Sequence, residues 1–240
     1  METVVDMTGD LVHLALCIPS DELCERLEDR LHRTWMSDTI FTQSSEVIRD
    51  QRFELDVTSP DWERAYHYFV FCWMGRNGDA GTKRVGYSFC RRFTKNGGHA
   101  ATRFKGAVDS LTAFNERLRN VTILLDDIFA ILPRIEDANE ITIYVDPPYI
   151  EKGLKYVHDF SDDDHDRLAV ELNRFKKTRV VVSYYDHERL ASLYPYWTKR
   201  RFEVTSSLAA SSSRGKQNTS KATEVLLING PSLVEPAGLF

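Results

Sequence analysis

Four consecutive residues, Asp146, Pro147, Pro148 and Tyr149, carry the most specific chemistry in this chain. The Asp146 carboxylate and the Pro147 carbonyl are two hydrogen-bond acceptors close together, and the proline rings hold them rigidly by locking φ. Such a pair suits an exocyclic amino group, which has two protons to give. The Tyr149 ring beside them offers a face on which a base can stack. Together these are the parts needed to hold an adenine extruded from a duplex. The plainer reading of the same residues is a strand ending in a proline-fixed turn with a surface tyrosine.

The preceding residues, Ile141-Thr142-Ile143-Tyr144-Val145, are β-branched and aromatic and predict a short buried strand. Asp146 then stands at its carboxyl end, the rim where open α/β sheets bind ligands, and the prolines prevent an immediate helix. Two other acids hold comparable places. Residues 2–5 read as a strand that leads into Asp6-Met7-Thr8-Gly9-Asp10, and residues 121–125 as one that leads into Asp126-Asp127-Ile128-Phe129. An acid at a Rossmann-type strand end commonly accepts from ribose hydroxyls. For the first, the alternative is an acid at a helix N-terminus, since Asp10 opens an apolar-periodic stretch; Asp6 is read as functional and Asp10 as a cap, and Asp127 suits a cap of the helix over 128–132.

Helices fill the intervals. Pro19-Ser20 opens one with Leu23, Leu27 and Leu31 on one face, and Cys17 and Cys24, seven apart, suit packing on a helical face. Residues 34–60 are mixed and polar, as expected of short helices joined by loops. Trp62, Tyr66, Phe69 and Trp73 form a stripe read as core. Residues 108–119 predict a single helix. Ser161, followed by Asp162, Asp163 and Asp164, is a helix start with acids in its first turn. Capping explains those acids, so they and the neighbouring His158 and His165 are not read as a metal site. Residues 179–183 predict a strand, and residues 202–205 and 224–229 a terminal hairpin across a long basic loop. Gly75-Arg76-Asn77-Gly78 is not a nucleotide loop, because no strand feeds it.

Hydrophobic and charged fractions of 42% and 28% are ordinary for a globular protein, with no apolar run of membrane-span length. Four cysteines without a Cys-x-x-Cys pair read as thiols of a reducing compartment, and the expected localisation is cytoplasmic. The net charge of −5 announces no nucleic acid, and its distribution says more. No acid lies between Asp79 and Asp109, where Lys83, Arg84, Arg91, Arg92, Lys95, Arg103 and Lys105 fall. Glu203 to Glu224 is likewise free of acids and carries Arg214, Lys216 and Lys221. Both segments suit phosphate contacts; solvated loops with incidental charge are the alternative.

The Asp-Pro-Pro-Tyr motif and its surroundings resemble the Dam-like DNA adenine-N6 methyltransferases, most strongly over residues 121–197. The resemblance implies an α/β, Rossmann-like S-adenosylmethionine-dependent sheet with a small inserted DNA-recognition lobe. It implies methyl transfer from S-adenosylmethionine to the exocyclic amino group of adenine in DNA, with no metal. Asp146 to Tyr149 become the catalytic motif, with Asp6, Asp127, Phe129 and Asp146 as cofactor contacts. Asp6 aligns with the family's ribose-binding acid, although Thr8 stands where Asn or Asp is usual. The basic residues above, with Arg214 and Lys216, become phosphate contacts, and Asn77 a base-edge contact. The domain expectation is a methyltransferase core over 1–60 and 107–230, a recognition insert over 61–106 and a tail over 231–240.

The family's glycine-rich first-strand motif is not visible, so the sheet is expected to be N-terminally incomplete, with two unpaired inner edges. Leu233-Val234-Glu235-Pro236 faintly resembles that strand, and a plain tail is the preferred reading. An inactive remnant that binds DNA or protein is the alternative function.

Overall fold

The computed structural model describes residues 2–50, 59–75, 86–87, 99–150, 160–205 and 221–230. The chain divides into two units, Met1–Ile128 and Phe129–Phe240.

In the first unit, strand β1 (Glu2–Asp6) runs parallel to β2 (Val121–Leu125), with Glu2 opposite Val121 and Asp6 opposite Leu125. Parallel pairing sends both carboxyl ends to the same rim. The intervening chain folds as α1 (Gly9–Cys17), α2 (Asp21–His32), α3 (Asp38–Asp50), α4 (Trp62–Met74), α5 (Ala100–Asp109) and α6 (Leu111–Leu118). Ser20 caps α2 by accepting from the Leu23 N–H, and Asp61 caps α4 by accepting from the Glu63 N–H. The apolar spacing of α2 buries Cys24, Leu27 and Leu31. Tyr66 and Phe69 of the α4 stripe are core, as expected, whereas Trp73 is 40% exposed. Phe71 stacks on Phe41 of α3 at 5.8 Å, and Phe69 meets Phe104 of α5 edge-on at 5.8 Å. Burying each such ring stabilises the unit by about 1.5–3 kcal/mol.

Four local expectations change. Residues 38–50 form one 13-residue helix where short pieces were expected. Residues 108–119 do not form one helix: α5 ends and α6 begins at Ser110, whose hydroxyl bonds the Gly106 carbonyl at 2.7 Å and competes with the helical ladder. Cys17 and Cys24 are both buried, but on different helices, because Pro19-Ser20 separates α1 from α2. Asp10 is no cap. It lies inside the first turn of α1, buried, and its carboxylate pairs with Arg64 of α4 at 2.7 Å.

Helix α7 (Ile128–Ile131) begins on the last residue of the first unit; in the second unit it and a 3-10 turn (Leu132–Arg134) lead to β3 (Thr142–Val145). The sheet order is β3-β4-β6-β5, with β4 spanning Arg179–Tyr185, β5 Thr198–Thr205 and β6 Lys221–Ile228. β3 and β4 are parallel, while β6 is antiparallel to both β4 and β5. Helix α8 (Asp162–Asn173) starts at the expected Ser161, which forms a full capping box: Ser161 accepts from the Asp164 N–H, and Asp164 accepts from the Ser161 N–H. Leu168 and Leu172 of α8 and Val180, Val182 and Tyr184 of β4 are fully buried. A short helix, α9 (Leu190–Leu193), follows β4. Asp137 accepts from three successive backbone N–H groups, of Lys176, Lys177 and Thr178, and so fixes the turn that feeds β4. The terminal hairpin is present, and its first strand begins at Thr198. The run Thr198-Lys199-Arg200-Arg201 is too polar to read as a strand, but its backbone is paired throughout by β6.

Among the described residues, β1 and β3 each have one hydrogen-bonded neighbouring strand. No helix among them is long and apolar enough to cross a membrane.

Candidate functional site

β3 alternates exposed and buried residues, with Ile143 and Val145 inward. Its parallel partner β4 ends at the same rim, so the loop after β3 lies against the carboxyl end of β4. That register brings Asp146, Pro147, Pro148 and Tyr149 beside Ser183, Tyr184 and Tyr185. Asp146 is in contact with solvent, Pro147 is buried, and Pro148 and Tyr149 are half-buried. The Pro147 carbonyl accepts no hydrogen bond from the described residues, which leaves it available to a donor.

Tyr149 packs edge-on against Tyr185, with ring centroids 4.3 Å apart, and lies 6.4 Å from Tyr184. Its hydroxyl hydrogen bonds with Ser183, and burial together with the nearby carboxylates pushes its pKa up to about 12. Ser183 is fully buried and donates to Glu224 Oε1 of β6 at 2.9 Å. Partial burial raises the pKa of Asp146, and the negative charge of Glu224 raises it further. Hydrogen bonding with Tyr149 offsets part of that rise. The rim therefore holds two carboxylates, Asp146 and Glu224, joined through two hydroxyls.

Below the rim, the Tyr184 hydroxyl bonds His165 Nδ1 of α8 at 2.9 Å. Phe160 stacks parallel to Phe129 at 6.1 Å, and the Arg167 guanidinium lies 4.1 Å over the Phe129 ring. Phe129 is buried in this packing. Burial of His165 lowers its pKa, and its ring meets Phe160 edge-on with centroids 4.8 Å apart. Among the described residues, no group of three or more His, Cys, Asp or Glu is placed to hold a metal ion.

In the first unit, the parallel register brings Asp6 and the Asp126-Asp127 pair to one rim, where the Asp126 N–H donates to the Asp6 carbonyl. Asp6 Oδ1 accepts from the Thr8 N–H at 2.6 Å, and Asp126 Oδ1 accepts from the Asp127 N–H at 2.8 Å. Asp6 and Asp127 are half-buried.

Of the basic residues, Arg103 and Lys105 lie on α5, both exposed. Lys105 pairs with Asp109 at 2.7 Å, and Arg103 edges an apolar hollow of about 570 Å³ lined by Phe69, Trp73 and Phe114. Asn77, Lys83, Arg84, Arg91, Arg92, Lys95, Arg214 and Lys216, with His158 and the 231–240 tail, lie outside the described residues.

Sequence reasoning assigned no role to Ser183 or Glu224. The available signal was a hydroxyl inside the apolar run Val180-Val181-Val182 to Tyr184, and an acid opening the apolar run Val225-Leu226-Leu227-Ile228. Neither feature shows from sequence that the two strands are neighbours.

The family model of the D12 class N6 adenine-specific DNA methyltransferases matches residues 2–206. No curated protein matches the chain significantly.

Proposed function

The chain belongs to the D12 class of N6 adenine-specific DNA methyltransferases, and from that premise we propose that the rim after β3 is where the target adenine is held. The observation that carries this reading is the open acceptor pair at Asp146 and Pro147, next to a half-buried tyrosine ring. Asp146 and the Pro147 carbonyl accept from the exocyclic amino group, turning its lone pair outward. Tyr149 stacks on the extruded base. The raised pKa of Asp146 makes it a better acceptor than an ordinary surface aspartate, because a carboxylate that holds a proton more readily also forms the stronger hydrogen bond.

We assign the methyl donor as S-adenosylmethionine, whose sulfonium supplies an activated methyl group when bound. The donor set of the β1–β2 rim fits it. The second oxygen of Asp6 has no partner among the described residues and can accept from a ribose hydroxyl, while Asp127 suits an adenine amino group. Phe129, another expected cofactor contact, has its ring covered by Phe160 and Arg167. The fold inferred is a Rossmann-like methyltransferase sheet; the parallel β1–β2 and β3–β4 pairs with acids at their carboxyl ends support it. Phosphate contacts are assigned to Lys83, Arg84, Arg91, Arg92, Lys95, Arg103, Lys105, Arg214 and Lys216, and a base-edge contact to Asn77.

The test is transfer of a labelled methyl group from S-adenosylmethionine to unmethylated mixed-sequence DNA, with N6-methyladenine identified in the digest. Label in cytosine, or none in DNA, overturns the reading.

A further inference from the structure

We infer that Arg200 and Phe202, on the outer strand β5, hold a nucleotide that flanks the target adenine: Arg200 binds its phosphate, and the Phe202 ring packs against its base. The inference rests on the adenine site proposed above and extends it along the DNA strand.

Strand register sets the geometry. Tyr185 lies opposite Glu224 of β6, and Glu224 lies opposite Phe202; Ser183 is in line with Leu226 and Arg200 in the same way. Residues in line across a sheet share a face, and so do residues two apart on one strand. Arg200 and Phe202 therefore stand on the face that carries Tyr185, the ring against which Tyr149 is packed. The intervening residues turn the other way: Tyr184 bonds His165 of α8, and Lys199 and Arg201 both bond the Asp186 carboxylate. Strands lie about 4.8 Å apart, so Phe202 stands about 10 Å across the sheet from Tyr185. That span is about three nucleotides of a DNA strand, at about 3.4 Å each.

The three consecutive cations Lys199, Arg200 and Arg201 differ in what they face. Asp186 pairs with Lys199 at 2.5 Å and with Arg201 at 2.8 Å. Arg200 is exposed and, among the described residues, has no carboxylate within ion-pair reach. Glu224, on the same face, accepts from Ser183 at 2.9 Å. Arg200 is thus the cation of the three that is open to an anion. Because β5 is the outer strand, one use for that charge is to deter pairing with another chain. Phe202 does not fit that use. It is 50% exposed on the same face, and an exposed apolar ring on an edge strand invites the pairing that the charge deters. A guanidinium and an aromatic ring on one face suit a nucleotide, whose phosphate takes the first and whose base stacks on the second.

The experiment measures binding of the full chain to a fluorescein-labelled, mixed-sequence duplex without adenine methylation, over a series of salt concentrations, with steady-state methylation of the same duplex alongside. Arg200→Gln is expected to lower the log–log salt slope by roughly 0.9, the share of one phosphate contact, and to raise Kd severalfold at low salt. Arg200→Lys keeps the charge and is expected to keep the slope. Arg201→Gln removes a cation already paired with Asp186 and is expected to leave the slope as in the parent. Phe202→Ala is expected to raise Kd by roughly fivefold or more with the slope unchanged. Neither Arg200→Gln nor Phe202→Ala is expected to change kcat, since neither side chain touches a reacting atom.

Equal slopes for the parent and Arg200→Gln, a slope lost as much in Arg201→Gln as in Arg200→Gln, or an unchanged Kd for Phe202→Ala overturns the inference. Any of these beside normal adenine methylation by the parent chain removes this inference alone. A parent chain that methylates no adenine removes the proposed function and this inference with it.

Discussion

The rings of Tyr149 and Tyr185 meet edge to face, with centroids 4.3 Å apart and planes at 61°. Tyr185 belongs to β4 and Tyr149 to the loop after β3, so the contact clamps the loop's aromatic ring to a neighbouring strand. Tyr149→Ala is expected to weaken retention of target DNA by about 1–3 kcal/mol, the worth of one base–aromatic stack. Tyr149→Phe keeps the ring and is expected to bind nearly as the parent does. Tyr185→Leu should fall between them, because the stacking ring remains but loses its support. Equal DNA affinities for Tyr149→Ala and Tyr149→Phe in a binding titration would remove stacking as the role of Tyr149.

The Asp137 carboxylate is held down to about pKa 2, first by its hydrogen bond from the Thr178 N–H and then by that from Lys176. A depressed carboxyl stabilises the native state fully above its unfolded value, near 3.8, and that contribution is lost as pH falls toward 2. Asp137→Asn is therefore expected to lower Tm at pH 7, with the gap to the parent closing between pH 4 and pH 2. A gap that stays constant through that window would show that the negative charge contributes nothing.

Asp10 and Arg64 form a buried pair, with side chains 8% and 7% exposed. Removing one partner of a buried pair costs far more than replacing both by apolar groups of similar size. Arg64→Met is expected to destabilise the protein by about 3 kcal/mol or more, and Asp10→Leu combined with Arg64→Met by much less. Urea unfolding of the parent and the two variants checks the order, and a double variant no more stable than Arg64→Met would contradict it.

How much of this was legible from sequence depended on whether a feature is local. Ser161 with Asp164, Ser20 and the Asp146 strand end were readable because a cap or a strand end is written within a few residues. The Asp10–Arg64 pair was not, since Asp10 in a first turn looks like any favourable acid and its partner is 54 positions away. β5 was underestimated because Lys199, Arg200 and Arg201 hide a strand whose pairing is supplied by β6. Ser183 and Glu224 were missed for a related reason: their contact depends on the antiparallel β4–β6 register, which is long-range information. The motif stood out in the sequence because its four residues carry their chemistry together.

For DNA contact, reversing the charges at Arg91 and Arg92 together is expected to weaken binding and flatten its salt dependence. The loss of log–log slope should be roughly 0.9 for each phosphate contact removed. Binding isotherms between low and moderate salt measure it, and an unchanged slope would exclude these two arginines from the phosphate contacts.

The most direct test of the account is the rate of methyl transfer to adenine N6 in DNA by Asp146→Ala. The substitution removes one acceptor of the amino group and leaves β3, Pro147 and Tyr149 in place. Loss of one well-placed polar contact at the reacting centre is expected to lower kcat by on the order of 10²-fold, with DNA affinity changed little. Methylation at the parental rate by Asp146→Ala would contradict the assignment of this rim as the place where the target adenine is held.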